Sequence, residues 1–249
     1  DKAGKEQVWL RSLDDGDARP PAGTEGLKAS GRPFWSPDSR HVAFFTADKL
    51  LKVPIEGGPA QKICDADGAD GSWSDQGLIL FDGTATAPLM AVPASGGVPK
   101  PIIAVREGDA GMTFGWPQFL PGGECFLYVV GDSTDDLEGI WMAEADGSDR
   151  RRVVPGLSRA EYVPPGWLLF VRDSTLVAQR FDAGDGKVSG EPIPVADGLT
   201  ARGHEVHVLA QRSDDLVDGA TAARPSSQEP ARGDAHAGQG EQLADHGRH

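Results

Sequence analysis

The sequence predicts an all-β chain: a partial β-propeller of about four to five four-stranded antiparallel blades, followed by a disordered C-terminal tail. Two observations carry this. Short alternating apolar runs, each ended by a tight turn, recur at a long period, and an aromatic residue opens each recurrence. Trp35, Trp73, Trp116 and Tyr162 are separated by 38, 43 and 46 residues, close to the ~40–45 of propeller repeats. The 33 glycines and 19 prolines among 249 residues supply the turns such a chain needs.

The clearest repeat is Pro33-Phe34-Trp35-Ser36-Pro37-Asp38-Ser39-Arg40-His41-Val42-Ala43-Phe44-Phe45. Its proline presets φ and its Asp and Ser side chains close the turn, so it reads as a strand end, a turn and a second strand. Ala47-Asp48-Lys49 then breaks toward Leu50–Val53, and Glu56-Gly57-Gly58-Pro59 toward a short fourth strand ending at Cys64. Upstream, residues 1–30 match only the second half of this unit, the outer strands of an incomplete first blade. Complete blades are expected at about 34–66, 71–106, 113–157 and 160–197, within a propeller region of 31–200. A four-stranded antiparallel sheet cannot bury both faces alone, so blades stack and a large flat side chain fills each wedge. The Trp positions therefore read as core.

From residue 201 to 249 the pattern stops. Residues 211–249 hold no aromatic and only Leu216, Val217 and Leu243 as large aliphatics, too little apolar surface to offset the entropy of ordering. This predicts a disordered polar tail. Five of the six histidines lie at or beyond His204, but no Cys or acidic partner recurs with them at a ligand spacing.

The net charge of −14 and pI near 4.8 oppose nucleic-acid binding. No apolar run approaches the ~18 residues needed to cross a membrane, so no membrane contact is expected within this segment. The first residue is Asp, which with the half blade suggests a covalent N-terminal extension. Cys64 and Cys125 fall in non-neighbouring repeats and read as small buried hydrophobes.

No set of residues with chemistry in common emerges. A Gly-x-Ser-x-Gly elbow, a phosphate loop and the protein-kinase motifs are all absent from the sequence. Asp-rich turns at 14–17, 132–136 and 182–186 lack the calcium-loop spacing and match hairpin turns. The expectation is a chain that is not an enzyme, with no catalytic, cofactor-binding or metal residue and no cofactor.

Trp35-Ser36-Pro37-Asp38-Ser39-Arg40-His41-Val42-Ala43-Phe44, with weaker copies at Trp73-Ser74-Asp75 and Trp116 to Gly123, resembles the TolB-type, PD40 (WD40-like) propeller repeats. Together with Leu168–Asp173 and Phe181-Asp182, the third copy resembles the C-terminal sensor propellers of bacterial serine/threonine protein kinases. The resemblance covers about residues 6–200. It implies a sensor or protein-interaction module that takes a protein or peptide through its loops, outside the membrane. The alternatives are the substrate-gating propeller of a prolyl-oligopeptidase-like serine hydrolase, with its catalytic domain elsewhere, and a fragment with no independent function.

Overall fold

The computed structural model describes residues 6–11, 16, 18–83, 87–103, 111–131 and 136–197. The expected disordered tail at 201–249, the five histidines and most of the first two Asp-rich turns lie outside the described residues.

Eighteen strands and no helix make up the described chain. It begins with a two-stranded ribbon of β1 (Leu10–Arg11) and β2 (Ala18–Arg19). Four antiparallel sheets follow, each with its strands paired in chain order. The first is β3 (Phe34–Trp35), β4 (His41–Phe45), β5 (Lys49–Pro54) and β6 (Gln61–Asp65). The second is β7 (Gly71–Trp73), β8 (Leu78–Phe81), β9 (Leu89–Pro93) and β10 (Lys100–Ile103). The third is β11 (Thr113–Phe119), β12 (Cys125–Gly131), β13 (Gly139–Glu144) and β14 (Arg151–Pro155). The fourth is β15 (Ala160–Val163), β16 (Trp167–Arg172), β17 (Thr175–Asp182) and β18 (Lys187–Asp197). These are the blades of a β-propeller.

Alternation along each strand sends successive side chains to opposite faces, and a sheet packed between two neighbours is apolar on both. Ala43, Phe45, Leu50 and Ile63 of the first sheet meet Ile79, Phe81 and Val92 of the second. Leu80, Leu89 and Ile103 meet Phe126, Tyr128 and Val130 of the third. Leu127, Val129, Ile140 and Met142 meet Leu168, Phe170, Val177 and Phe181 of the fourth. Val42, Phe44 and Val53, on the first sheet's other face, are covered by Val8, Leu10 and Leu27. Four clusters thus alternate with four sheets.

The aromatic wedge differs from expectation at two places. Trp73 and Tyr162 lie on the seams that their sheets share with the preceding ones. Trp73 packs beside His41, with ring centroids 6.2 Å apart, and under the Lys52 ammonium at 5.7 Å. Tyr162 sits edge-on to Phe181 at the third seam. Trp35 holds the same register, paired with Val42 as Trp73 is with Ile79, but among the described residues only the ribbon precedes its sheet, and it is 44% exposed. In the third sheet the wedge is Phe119, paired with Phe126, because the register shifts between Gly115 and Gln118. Trp116 sits in that irregularity with φ 52° and packs on the opposite seam.

Side chains also join the innermost strands. Phe119 N–H donates to Ser72 Oγ (2.9 Å). Gln118 accepts from Tyr162 N–H (2.7 Å) and donates to Glu161 Oε1 (2.6 Å). A Cβ on Gly71 would come within 2.6 Å of the Phe34 ring, so the first two innermost strands approach as closely as glycine permits.

Candidate functional site

The two ends of the blades differ. At one end the chain turns tightly, as at Ser36–Arg40, Asp75–Gly77 and Pro164–Gly166. The other end carries the strand ends that lead to the next blade and those that lead from second to third strands, with the long connections after β8, β10 and β12 among them. Loops positioned on a rigid scaffold are where such folds carry recognition.

At the centre of the long-loop end lies a charged cluster. Arg32, Asp70 and Arg159 lie within two residues of the starts of β3, β7 and β15, so the repeat brings them to one place although they are far apart in the chain. Asp70 Oδ2 accepts from Arg32 Nη1 at 3.2 Å and pairs with Arg159 Nη1 at 3.3 Å. Its other oxygen accepts from Gly71 N–H at 2.8 Å. Arg32 N–H donates to Ala69 O at 2.7 Å. The Asp70 side chain is buried while the two arginines are partly open to solvent. Burial pushes the Asp70 carboxyl up from its ordinary value, against the pull of Arg159 and Arg32.

Asp82, just past β8, supports this cluster from below. Its Oδ1 accepts from Ala69 N–H (2.9 Å) and Asp70 N–H (2.7 Å), and the Trp116 backbone N–H adds a bond from the third sheet. Burial pushes its carboxyl up to about 6, with the neighbouring Asp70 charge acting in the same direction and the backbone donors opposing. In the fourth sheet Ser158 is buried and accepts from Val171 N–H at 2.8 Å while donating to Arg159 O, which fixes the backbone that presents Arg159. The arrangement sets two guanidinium groups at the axial mouth on a buried carboxylate, a geometry suited to hydrogen-bond acceptors on a ligand.

The sequence singled out none of these four charged residues, because no local motif marks them. Aligning the repeats on their innermost strands would have put Arg32, Asp70 and Arg159 at neighbouring positions. Among the described residues no group of three or more His, Cys, Asp or Glu is placed to hold a metal ion. The third Asp-rich turn is a hairpin: Asp182 Oδ1 accepts from Gly184 and Asp185 N–H. Both cysteines are free, Cys64 buried and Cys125 partly so, and burial pushes the Cys64 thiol up to about 11, away from reactivity. No helix among the described residues is long and apolar enough to cross a membrane.

No protein-family model and no curated protein matches the chain. Solved structures show that its fold is shared by propellers. TolB from Acinetobacter baumannii superposes with a TM-score of 0.59 at 11% identity, over 78% of this chain and 50% of that one. An oligogalacturonate lyase in complex with manganese gives 0.53 at 15%, over 76% and 58%. A chain of a nidogen/laminin complex gives 0.56 at 12%, over 78% and 76%. The chain therefore spans little more than half the length of the lyase and half of TolB. The likeness places it among β-propellers and matches the TolB-type resemblance at that level; none of these three structures is a kinase sensor. It also corrects the expectation that the chain is not an enzyme: the same architecture occurs in a lyase, so a propeller without a hydrolase or kinase motif is no ground for excluding catalysis.

Proposed function

We propose that the chain is a recognition propeller that takes a protein or peptide across its long-loop face, centred on Arg32, Asp70 and Arg159. In this reading it is the sensor or interaction region of a larger receptor-like protein, as the resemblance to kinase-associated propellers implies. The observation that carries it is the pair of partly exposed guanidiniums held by one buried carboxylate where the innermost strands begin. Guanidinium forks suit backbone carbonyls and carboxylates of an extended peptide. The TolB-like architecture, and a propeller solved within a nidogen/laminin complex, agree with a binding role.

The test is a peptide-display selection against the full chain, followed by titration of the selected peptides. Arg32→Ala and Arg159→Ala should each weaken binding about tenfold or more. Asp146→Ala, at a tight turn of the opposite face, should leave it unchanged. Peptides that ignore both arginines but lose affinity on the Asp146 change would overturn the assignment of the face. Turnover of an oligogalacturonide or a sugar lactone, abolished by Asp70→Asn, would make this face a catalytic one instead.

A further inference from the structure

The two buried carboxyls beneath the arginine pair have unequal surroundings. Asp70 Oδ2 faces both guanidiniums, Arg32 at 3.2 Å and Arg159 at 3.3 Å. Asp82 faces neither. Among the described residues it is bonded only by backbone N–H groups, those of Ala69 and Asp70 on Oδ1 and that of Trp116 from the third sheet. A Cβ on Gly115 would stand 3.5 Å from Asp82 Oδ2, so this second oxygen is turned to β11, which carries no ionisable side chain between Thr113 and Phe119. On the side of the first sheet, Lys28 is matched by Asp67 at 2.6 Å and also donates to Gly68 O. The charge that bears on Asp82 most closely is therefore Asp70, which has the same sign.

With both carboxyls ionised, the charges of Arg32, Arg159, Asp70 and Asp82 cancel, and an arriving anion meets no net attraction. One added proton leaves a positive charge shared by the two partly exposed guanidiniums. That proton belongs on Asp82, because two cations favour the charged form of Asp70 and only neutral amides favour that of Asp82. We propose that the face takes a carboxylate of its peptide ligand between Arg32 and Arg159, and that this carboxylate and a proton on Asp82 bind together. The assignment rests on the recognition face described above and adds the ligand's anchoring group and its control. Guanidinium forks present paired N–H donors to a carboxylate, and the coupling is reciprocal: the proton strengthens ligand binding by the factor by which the ligand strengthens proton binding. The Asp82 carboxyl of the free chain lies at about 6, so affinity is highest below that value and falls as pH rises through it. A glutamate or chain-terminal carboxyl, at about 4.3 or below, stays ionised over the same range.

Three acetylated peptides titrated into the full chain test this: Ala-Glu-Ala amide, Ala-Ala-Ala with a free C-terminal carboxylate, and the neutral Ala-Gln-Ala amide. Amide signals of Ala69, Asp70 and Gly71 report occupancy, at ~0.15 M salt, where charges more than about 8 Å away are largely screened. At least one carboxylate peptide should bind about tenfold more tightly at about pH 5.5 than at pH 8, and the tighter of the two identifies the source of the carboxylate. Asp82→Asn should bind it equally at both pH values, at the native affinity of pH 5.5, whereas Asp146→Ala should keep the native pH dependence. A native affinity that does not change with pH would overturn the coupling, however the variants behave, and so would an Asp82→Asn chain that keeps the native slope. Equal binding of the neutral peptide would overturn the carboxylate assignment yet leave the recognition face in place. Carboxylate binding that Arg159→Ala leaves intact would remove that face as well.

Discussion

Trp35 and Phe119 stand at one register position in the first and third sheets, each paired with the residue that opens the packed part of the second strand. Their surroundings differ. Phe119 meets Phe126 edge-on at 6.1 Å inside a seam between two complete sheets, whereas Trp35 is 44% exposed in a sheet that only a two-stranded ribbon precedes among the described residues. The local sequence sets where the aromatic points. Whether it is buried depends on the sheet behind it, which lies some forty residues away in the chain. In a stacked array, stability resides in the interfaces, so interior seams should carry most of it.

The largest expected effect follows from that. Phe126 is fully buried, in ring contact with Phe119 and Tyr128. Phe126→Ala should cost about 3–5 kcal/mol, read as a lower denaturation midpoint at unchanged slope. A cost below about 1 kcal/mol would mean that the second seam is not a packed interface.

Much of the fold was legible for the same reason that this prediction is sharp. Alternating runs such as His41–Phe45 and turns such as Ser36–Arg40 are local, and local chemistry decides them. The all-β propeller class came from those runs. Trp116 was mistaken for the wedge because Trp is conspicuous. The better signal was the proline two residues on: Phe119-Leu120-Pro121 parallels Trp35-Ser36-Pro37, and Leu120 and Ser36 make equivalent turn bonds, their N–H groups donating to Cys125 O and His41 O. The Arg32–Asp70–Arg159 cluster had no comparable signal. Its members are 38 and 89 residues apart and meet only because the blades converge on one axis.

A second effect sharpens the contrast between seams through pH. Asp82 ties the second sheet to the Trp116 backbone of the third, and its carboxyl is raised to about 6. A carboxyl with a raised folded-state pKa holds its proton longer in the folded than in the unfolded chain. Its contribution to stability is therefore full below the ordinary value near 4 and is lost as pH rises through about 6. The loss is at most on the order of 3 kcal/mol. Asp82→Asn keeps an acceptor for Ala69 and Asp70 N–H but cannot titrate, so its stability between pH 4 and 7 should be flatter than that of the native chain. The exposed carboxyls of Asp38, Asp48 and Asp146 are lowered by hydrogen bonds and act in the opposite sense at lower pH. The difference between the two pH profiles isolates Asp82. Parallel profiles would remove Asp82 as a titrating tie between those sheets.

The smallest effect is the most discriminating. Trp35→Ala removes the bulkiest side chain of the best-formed repeat, and by sequence pattern alone it should cost as much as any core deletion. Exposed to 44%, with no complete sheet behind it among the described residues, Trp35 should cost under about 1 kcal/mol. Trp73→Ala, at the same register but packed against His41 and Lys52 of the preceding sheet, should cost more than Trp35→Ala. Denaturation of the two variants side by side measures what a preceding blade adds to one and the same repeat position. Equal losses would mean that the ribbon of β1 and β2 already packs Trp35 as a full blade would, and the distinction between a terminal and an interior seam would fail.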